Sequence, residues 1–233
     1  MRSLRAEDPE EAAVPLALAG DSAGGHIALE SALRLAAADE TVAHVAVLYP
    51  VISAACNSDS MRVFGEGHML TREAMRWFWE CYLGEGAESA ARTTDLLQVA
   101  LGALPPVTLV TAGCDPLRDE GERFARRLAQ SGVRVASRRY PGMIHGFAGL
   151  PQLTDQAAEV LSFLGGALAA ALVRTPAVRS VAVEPEGLLV RTDDTTVLAR
   201  TLAATAQALH CTLYEVQVTD DTLEHVFAYL VAR

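Results

Sequence analysis

The chain has 233 residues, 51% of them hydrophobic, with 19 basic against 29 acidic residues and a net charge of -10. That length can bury a sizeable core, as one domain or one domain plus an appendage. Every basic residue is Arg: without a lysine, a Schiff-base lysine and a Walker A phosphate loop are both excluded, and the acidic balance argues against a nucleic-acid surface. The N-terminal MRSLRAEDPEEAA has no apolar core and does not read as a signal peptide. The longest uncharged apolar stretch, residues 160–173, is too short for a membrane span of ~20 residues. Cys56, Cys81, Cys114 and Cys211 show no CxxC spacing, which points to reduced thiols in a cytoplasmic protein and to neither a metal site nor a disulfide framework.

In chain order, residues 14–19 (VPLALA) predict a buried strand, followed by a Gly-rich turn and a helix over 25–38. Residues 42–49 predict a second strand, ended by Pro50. An irregular stretch follows, holding an aromatic helix over 71–83 with Thr71 as its N-cap and Glu73 in the first turn. A third strand over 107–112 leads to a helix over 119–131 closed by Gly132; a fourth strand spans 133–139, and a helix 157–172. Strands separated by helices predict βαβ crossovers and a parallel sheet, an α/β fold. The pattern changes near Arg174-Thr175-Pro176. Beyond it lie strands at 178–183 and 188–191 joined by a Pro-Glu-Gly turn, a helix at 195–209, a strand at 213–218 and a short helix at 222–231. The expected division is therefore a domain over 1–173 and a small α+β unit over 177–233.

Gly20-Asp21-Ser22-Ala23-Gly24-Gly25 fits G-x-S-x-G between a predicted strand and a predicted helix. In that setting the serine sits on a sharp turn that exposes its hydroxyl. Gly20 and Gly24 would let strand and helix approach, and the Ala23 N–H would face a developing oxyanion at the positive end of the helix. Such a serine needs a base, and the base an orienting acid. Among six histidines, His145 stands on a loop just after the fourth strand, whereas His26, His44, His68, His210 and His225 read as structural. Asp115 ends the third strand; Asp119 and Glu120 open the next helix, where capping or dipole roles account for them. Ser22, Asp115 and His145 occur in the chain order of the α/β-hydrolases.

GDSAGG, YPVIS, LTREAMRWFWECYL, the stretch LPPVTLVTAGCDPLRDEGERFARRLAQSGV and RRYPGMIHGF together resemble the hormone-sensitive-lipase-like branch of the α/β-hydrolases, the family IV carboxylesterases, over about residues 1–172. The resemblance implies hydrolysis of a short or medium acyl ester through an acyl-enzyme, with Ser22 as nucleophile, His145 as acid and base and Asp115 as orienter. No cofactor and no metal are implied. It also implies that residues 53–100 form part of a lid, placing Met69, Met75, Trp77, Phe78 and Trp79 at the acyl site. Family members carry an HGGG-type motif before the nucleophile that completes the oxyanion hole, and no HGGG occurs in this chain. Only 21 residues precede Ser22. The expectation is a partial hydrolase fold, weak activity and an open strand edge that invites a homo-oligomer or a partner supplying strands. The alternative expectation is an inactive truncated or fused hydrolase serving as an interaction module. Residues 178–233 weakly resemble the C-terminal appendage of drug-export ABC transporter ATPase subunits, through VEPEGLLV and TLEHVFAYL.

Overall fold

The computed structural model describes residues 16–84, 94–172, 178–184, 187–192, 194, 196, 213–218 and 225–231. Strand β1 (Leu16–Asp21) runs directly into helix α1 (Ser22–Ala37), so the helix begins three residues before the sequence pattern suggests. Then come β2 (Val42–Leu48), α2 (Asp59–Phe64), α3 (Arg72–Leu83), β3 (Val107–Cys114), α4 (Arg118–Gln130), β4 (Val135–Ile144) and α5 (Gln156–Leu172). The first four strands form one sheet in the order β1-β2-β3-β4. β2 pairs parallel with β3 and β3 with β4, as the alternation of strands and helices predicts. In this order the strands bring the C-terminal ends of β2, β3 and β4 to one edge of the sheet.

Local chemistry accounts for the boundaries. The largely apolar β2, interrupted only by a buried His44 whose Nε2 lies 2.9 Å from the Thr108 hydroxyl, is buried at six of seven positions, as a strand covered on both faces requires. The Thr71 hydroxyl accepts the Ala74 N–H and caps α3. Helix α4 turns Phe124, Ala125 and Leu128 into the core, and Gly132, at φ +81°, reverses the chain after it. Helix α2 is not signalled by hydrophobic periodicity, because it is only six residues long and lies in a polar segment. It is nucleated by the Ser58 hydroxyl, which accepts the Met61 N–H. It is tied to the start of α4, where the Asp119 carboxylate accepts the Ser60 N–H at 2.7 Å.

The chain divides into two compact units. One comprises Leu18–Glu40 and His44–Phe163, and Leu164 onward belongs to the other. In the latter, β5 (Val178–Glu184), β6 (Gly187–Thr192), β7 (Leu213–Val218) and β8 (His225–Val231) form an antiparallel sheet in the order β5-β6-β8-β7. Of the helix expected at 222–231, the described residues 225–231 are instead strand β8. Its HVFAYLV sequence is rich in β-branched and aromatic residues, and it pairs on both sides, with β6 and β7. The helix expected at 195–209 falls outside the described residues except for Thr196. Among the described residues no helix is long and apolar enough to cross a membrane.

Candidate active site

The turn from β1 into α1 is tight enough to force Ser22 to φ +51°, a left-handed conformation that non-glycine residues rarely adopt. The Val51 N–H donates to the Ser22 carbonyl at 3.1 Å and holds the peptide there. The glycines of the motif are not equivalent. A Cβ on Gly20 would lie 2.3 Å from the Gly24 carbonyl carbon, and one on Gly25 would lie 2.8 Å from the Pro50 Cβ. A Cβ on Gly24 would meet nothing nearer than the Asp21 Oδ1 at 3.9 Å. The close approach therefore rests on Gly20 and Gly25 rather than on Gly20 and Gly24, because only at the first two would a Cβ meet another atom at under 3 Å. Asp21 is exposed at the strand end.

Ser22, Asp115 and His145 come from the ends of three strands and meet. The His145 Nδ1 lies 2.8 Å from the Asp115 Oδ2. A carboxylate oxygen accepts, so Nδ1 carries the hydrogen and Nε2 is left with its lone pair. The Ser22 Oγ lies 2.8 Å from that Nε2, and its O–H donates to it. Asp115 is fully buried, and its Oδ1 accepts the Leu117 N–H at 2.8 Å, which fixes the carboxylate plane. The close spacing of the acid and the imidazole needs Gly113. There β3 bulges, and a Cβ would come within 3.0 Å of the Gly142 N and the Pro141 Cα. The Tyr49 ring packs against the imidazole with centroids 4.8 Å apart. Burial pushes the Tyr49 phenol well above its ordinary pKa, and the nearby Asp21 and Asp115 add to the shift.

Beside Ser22 lies a cavity of about 520 Å³. Ala23, Val51, Met75, Phe78 and Trp79 are among its lining residues. Met75, Phe78, Trp79 and Tyr82 follow the i, i+3, i+4, i+7 spacing of one face of α3. Of the aromatic and methionine side chains singled out from sequence, Met75, Phe78 and Trp79 face the cavity. Trp77 stands on the other side of α3, 58% exposed, and Met69 precedes the helix, 67% exposed with its methyl near Gly146; neither lines it. His26, read from sequence as structural, sits one helical turn after Ser22 and also lines the cavity. Its Nδ1–H donates to the Val51 carbonyl at 3.1 Å, and its ring meets Trp79 edge-on. Burial lowers its pKa. The i, i+4 relation to Ser22 was the available signal for placing it here.

Glu120 also departs from expectation. It is buried rather than serving as a surface helix-dipole group, and its Oε1 accepts the Ile52 N–H at 2.8 Å and the Ser53 N–H at 3.3 Å. Burial, followed by the nearby charges of Asp115 and Asp95, outweighs these two donors and raises its pKa to about 8.

Residues 4–149 match a family model described as the alpha/beta hydrolase fold, and the chain belongs to that family. It is 35% identical over 156 residues to an ethyl acetate hydrolase of Pseudomonas putida, covering 66% of this chain and 49% of that protein. It is 35% identical over 169 residues to the carboxylic ester hydrolase LipN of Mycobacterium tuberculosis, covering 68% and 44%. Among solved structures, EstE1, a thermophilic carboxylesterase cloned from a metagenomic library, superposes with a TM-score of 0.62 at 35% identity, covering 66% of this chain and 54% of that one. The chain spans about half the length of the curated relatives it matches.

Proposed function

We propose that this chain carries the catalytic centre of a serine carboxylic-ester hydrolase acting on short or medium acyl esters. The observation that carries the proposal is the unbroken relay Ser22 Oγ, His145 Nε2, His145 Nδ1, Asp115 Oδ2, with both links at 2.8 Å. As the Ser22 oxygen attacks the ester carbonyl carbon, its proton passes to His145 Nε2, and the carbonyl π electrons move onto the oxygen. The Ala23 N–H, at the first turn of α1, is the donor assigned to that oxyanion, aided by the positive end of the helix. The tetrahedral species collapses, and His145 returns its proton to the departing alkoxide. An acyl group is left on Ser22. A water then gives a proton to His145 and attacks the acyl carbon, and the carboxylic acid leaves as Ser22 regains its hydrogen. Asp115 keeps the imidazole in the required tautomer and stabilises its protonated form.

The apolar cavity beside Ser22 suits an alkyl chain, which supports the choice of acyl ester. The test is hydrolysis of p-nitrophenyl acetate and butyrate by the purified chain and by Ser22→Ala. Turnover that disappears in Ser22→Ala supports the reading. Equal rates in both proteins, or none in either, favour the interaction-module alternative.

A further inference from the structure

Residues 51–53 form a strap beneath the nucleophile, and nearly every polar group of its backbone has a partner on a different element. The Val51 N–H holds the Ser22 carbonyl at 3.1 Å, and the Val51 carbonyl accepts from His26 Nδ1 at 3.1 Å. The Ile52 carbonyl accepts the Leu96 N–H at 3.2 Å. The Ser53 hydroxyl donates to the Asp95 Oδ2 at 3.1 Å. The remaining two donors, the Ile52 and Ser53 N–H groups, both end on a single atom, Glu120 Oε1. All three strap residues and Glu120 are buried, so water does not replace that acceptor. Ser22 at φ +51° persists only while its surroundings over-determine it, and the Val51 N–H holds its backbone carbonyl from outside its own helix.

We propose that Glu120 is a positioning residue for Ser22: by accepting the Ile52 and Ser53 N–H groups it fixes the strap whose Val51 N–H holds the nucleophile in its left-handed conformation. This inference rests on the hydrolase reading above. Glu120 touches neither substrate nor the reacting atoms. Its contribution is to the geometry of attack, where a displacement of ~1 Å costs ~10²-fold in rate. Its working feature is one acceptor oxygen, which a carboxamide also supplies. Loss of the side chain leaves two buried donors without a partner and frees the strap to turn them elsewhere.

The test is the rate of phosphonylation by a fluorophosphonate probe, resolved into the limiting rate constant and the half-saturating concentration, with the adduct mapped by mass spectrometry. Wild type, Glu120→Ala, Glu120→Gln and Ser22→Ala are compared. The expected result is a fall of ~10–100-fold in the limiting rate for Glu120→Ala, with half-saturation changed less than ~2-fold. Glu120→Gln is expected to stay within ~3-fold of wild type. A merely structural role would lower the amount of folded protein or its melting temperature and leave the limiting rate of the folded fraction unchanged, and that result overturns the proposal. So does a Glu120→Gln as slow as Glu120→Ala. If Glu120→Ala does not fold, Glu120→Asp, one methylene short of the strap, replaces it in the same comparison. A wild type that takes no label at Ser22 overturns the hydrolase reading itself, and this proposal with it. A labelled wild type matched by every Glu120 variant overturns this proposal alone.

Discussion

Alanine at Gly20 and alanine at Gly24 are the same change four residues apart in one motif, and the structure gives them opposite outcomes. At position 20 the new Cβ would lie 2.3 Å from both the carbonyl carbon and the carbonyl oxygen of Gly24, and 2.8 Å from the Gly25 N. Ordinary contact begins near ~3.5 Å, so the end of β1 and the first turn of α1 must part by about 1 Å, and only backbone is available to move. Overpacking of that kind costs ~1–3 kcal/mol or more, and a ~1 Å displacement of a nucleophile costs ~10²-fold in rate. At position 24 the nearest atom is 3.9 Å away, and the residue is helical, so alanine should gain ~1 kcal/mol of helix propensity. For a chain of this size that corresponds to a melting temperature ~2–4 °C higher. Thermal melting and the fluorophosphonate labelling rate read both effects. Gly20→Ala is expected to melt lower and label ~10²-fold more slowly, and Gly24→Ala to melt slightly higher and label as wild type. Equal damage from both substitutions, or a Gly20→Ala that labels at the wild-type rate, would refute the elbow geometry.

Further expectations follow from single contacts. Asp115→Asn keeps the shape of the side chain but lets His145 adopt the wrong tautomer, and should reduce Ser22-dependent hydrolysis by ~10⁴-fold with little loss of folded protein, measured by steady-state kinetics beside circular dichroism. Thr71→Ala removes the hydroxyl that caps α3 and should cost ~1 kcal/mol, a melting temperature ~2–4 °C lower. Glu120 has a pKa raised from 4.5 to about 8, so the folded state holds a proton that the unfolded state releases. Its contribution to stability is full below about pH 4.5 and is lost as pH rises towards 8, at up to ~1.4 kcal/mol per pH unit. Urea titrations between pH 5 and 8 should therefore give a stability that falls less steeply with pH in Glu120→Gln than in wild type; parallel slopes would contradict the buried, protonated carboxyl.

The legible parts of this sequence were those where local pattern and fold agree. Apolar runs marked β2 and β3, glycine spacing marked the turn at Ser22, and Thr71 marked the start of α3. The illegible parts depend on what lies far away in sequence. Helix α2 is too short to show a period, and its anchors are Pro116 and Asp119. Glu120 looks like any acidic residue in the first turn of a helix until the Ile52 and Ser53 N–H groups, 68 and 67 residues distant, converge on it. Gly113 and Gly25 matter because of Pro141, Gly142 and Pro50, which no local rule connects to them. The last segment reads as a helix by spacing and is a strand because β6 and β7 flank it. At the cavity, the resemblance of the lid segment singled out Trp77 with Phe78, and only the helical face separates them.

In the proposed reaction Ser22, activated by His145, takes up an acyl group. Intact-mass and peptide-mapping mass spectrometry after mixing the chain with p-nitrophenyl butyrate tests it directly, because the activated p-nitrophenolate leaving group makes acylation faster than hydrolysis of the acyl-enzyme, which then accumulates. One butyryl group per chain is expected, on the peptide containing Ser22, formed together with one equivalent of p-nitrophenol and absent in Ser22→Ala and His145→Ala. Acylation at another residue, or acylation of Ser22 that proceeds unchanged in His145→Ala, would contradict it.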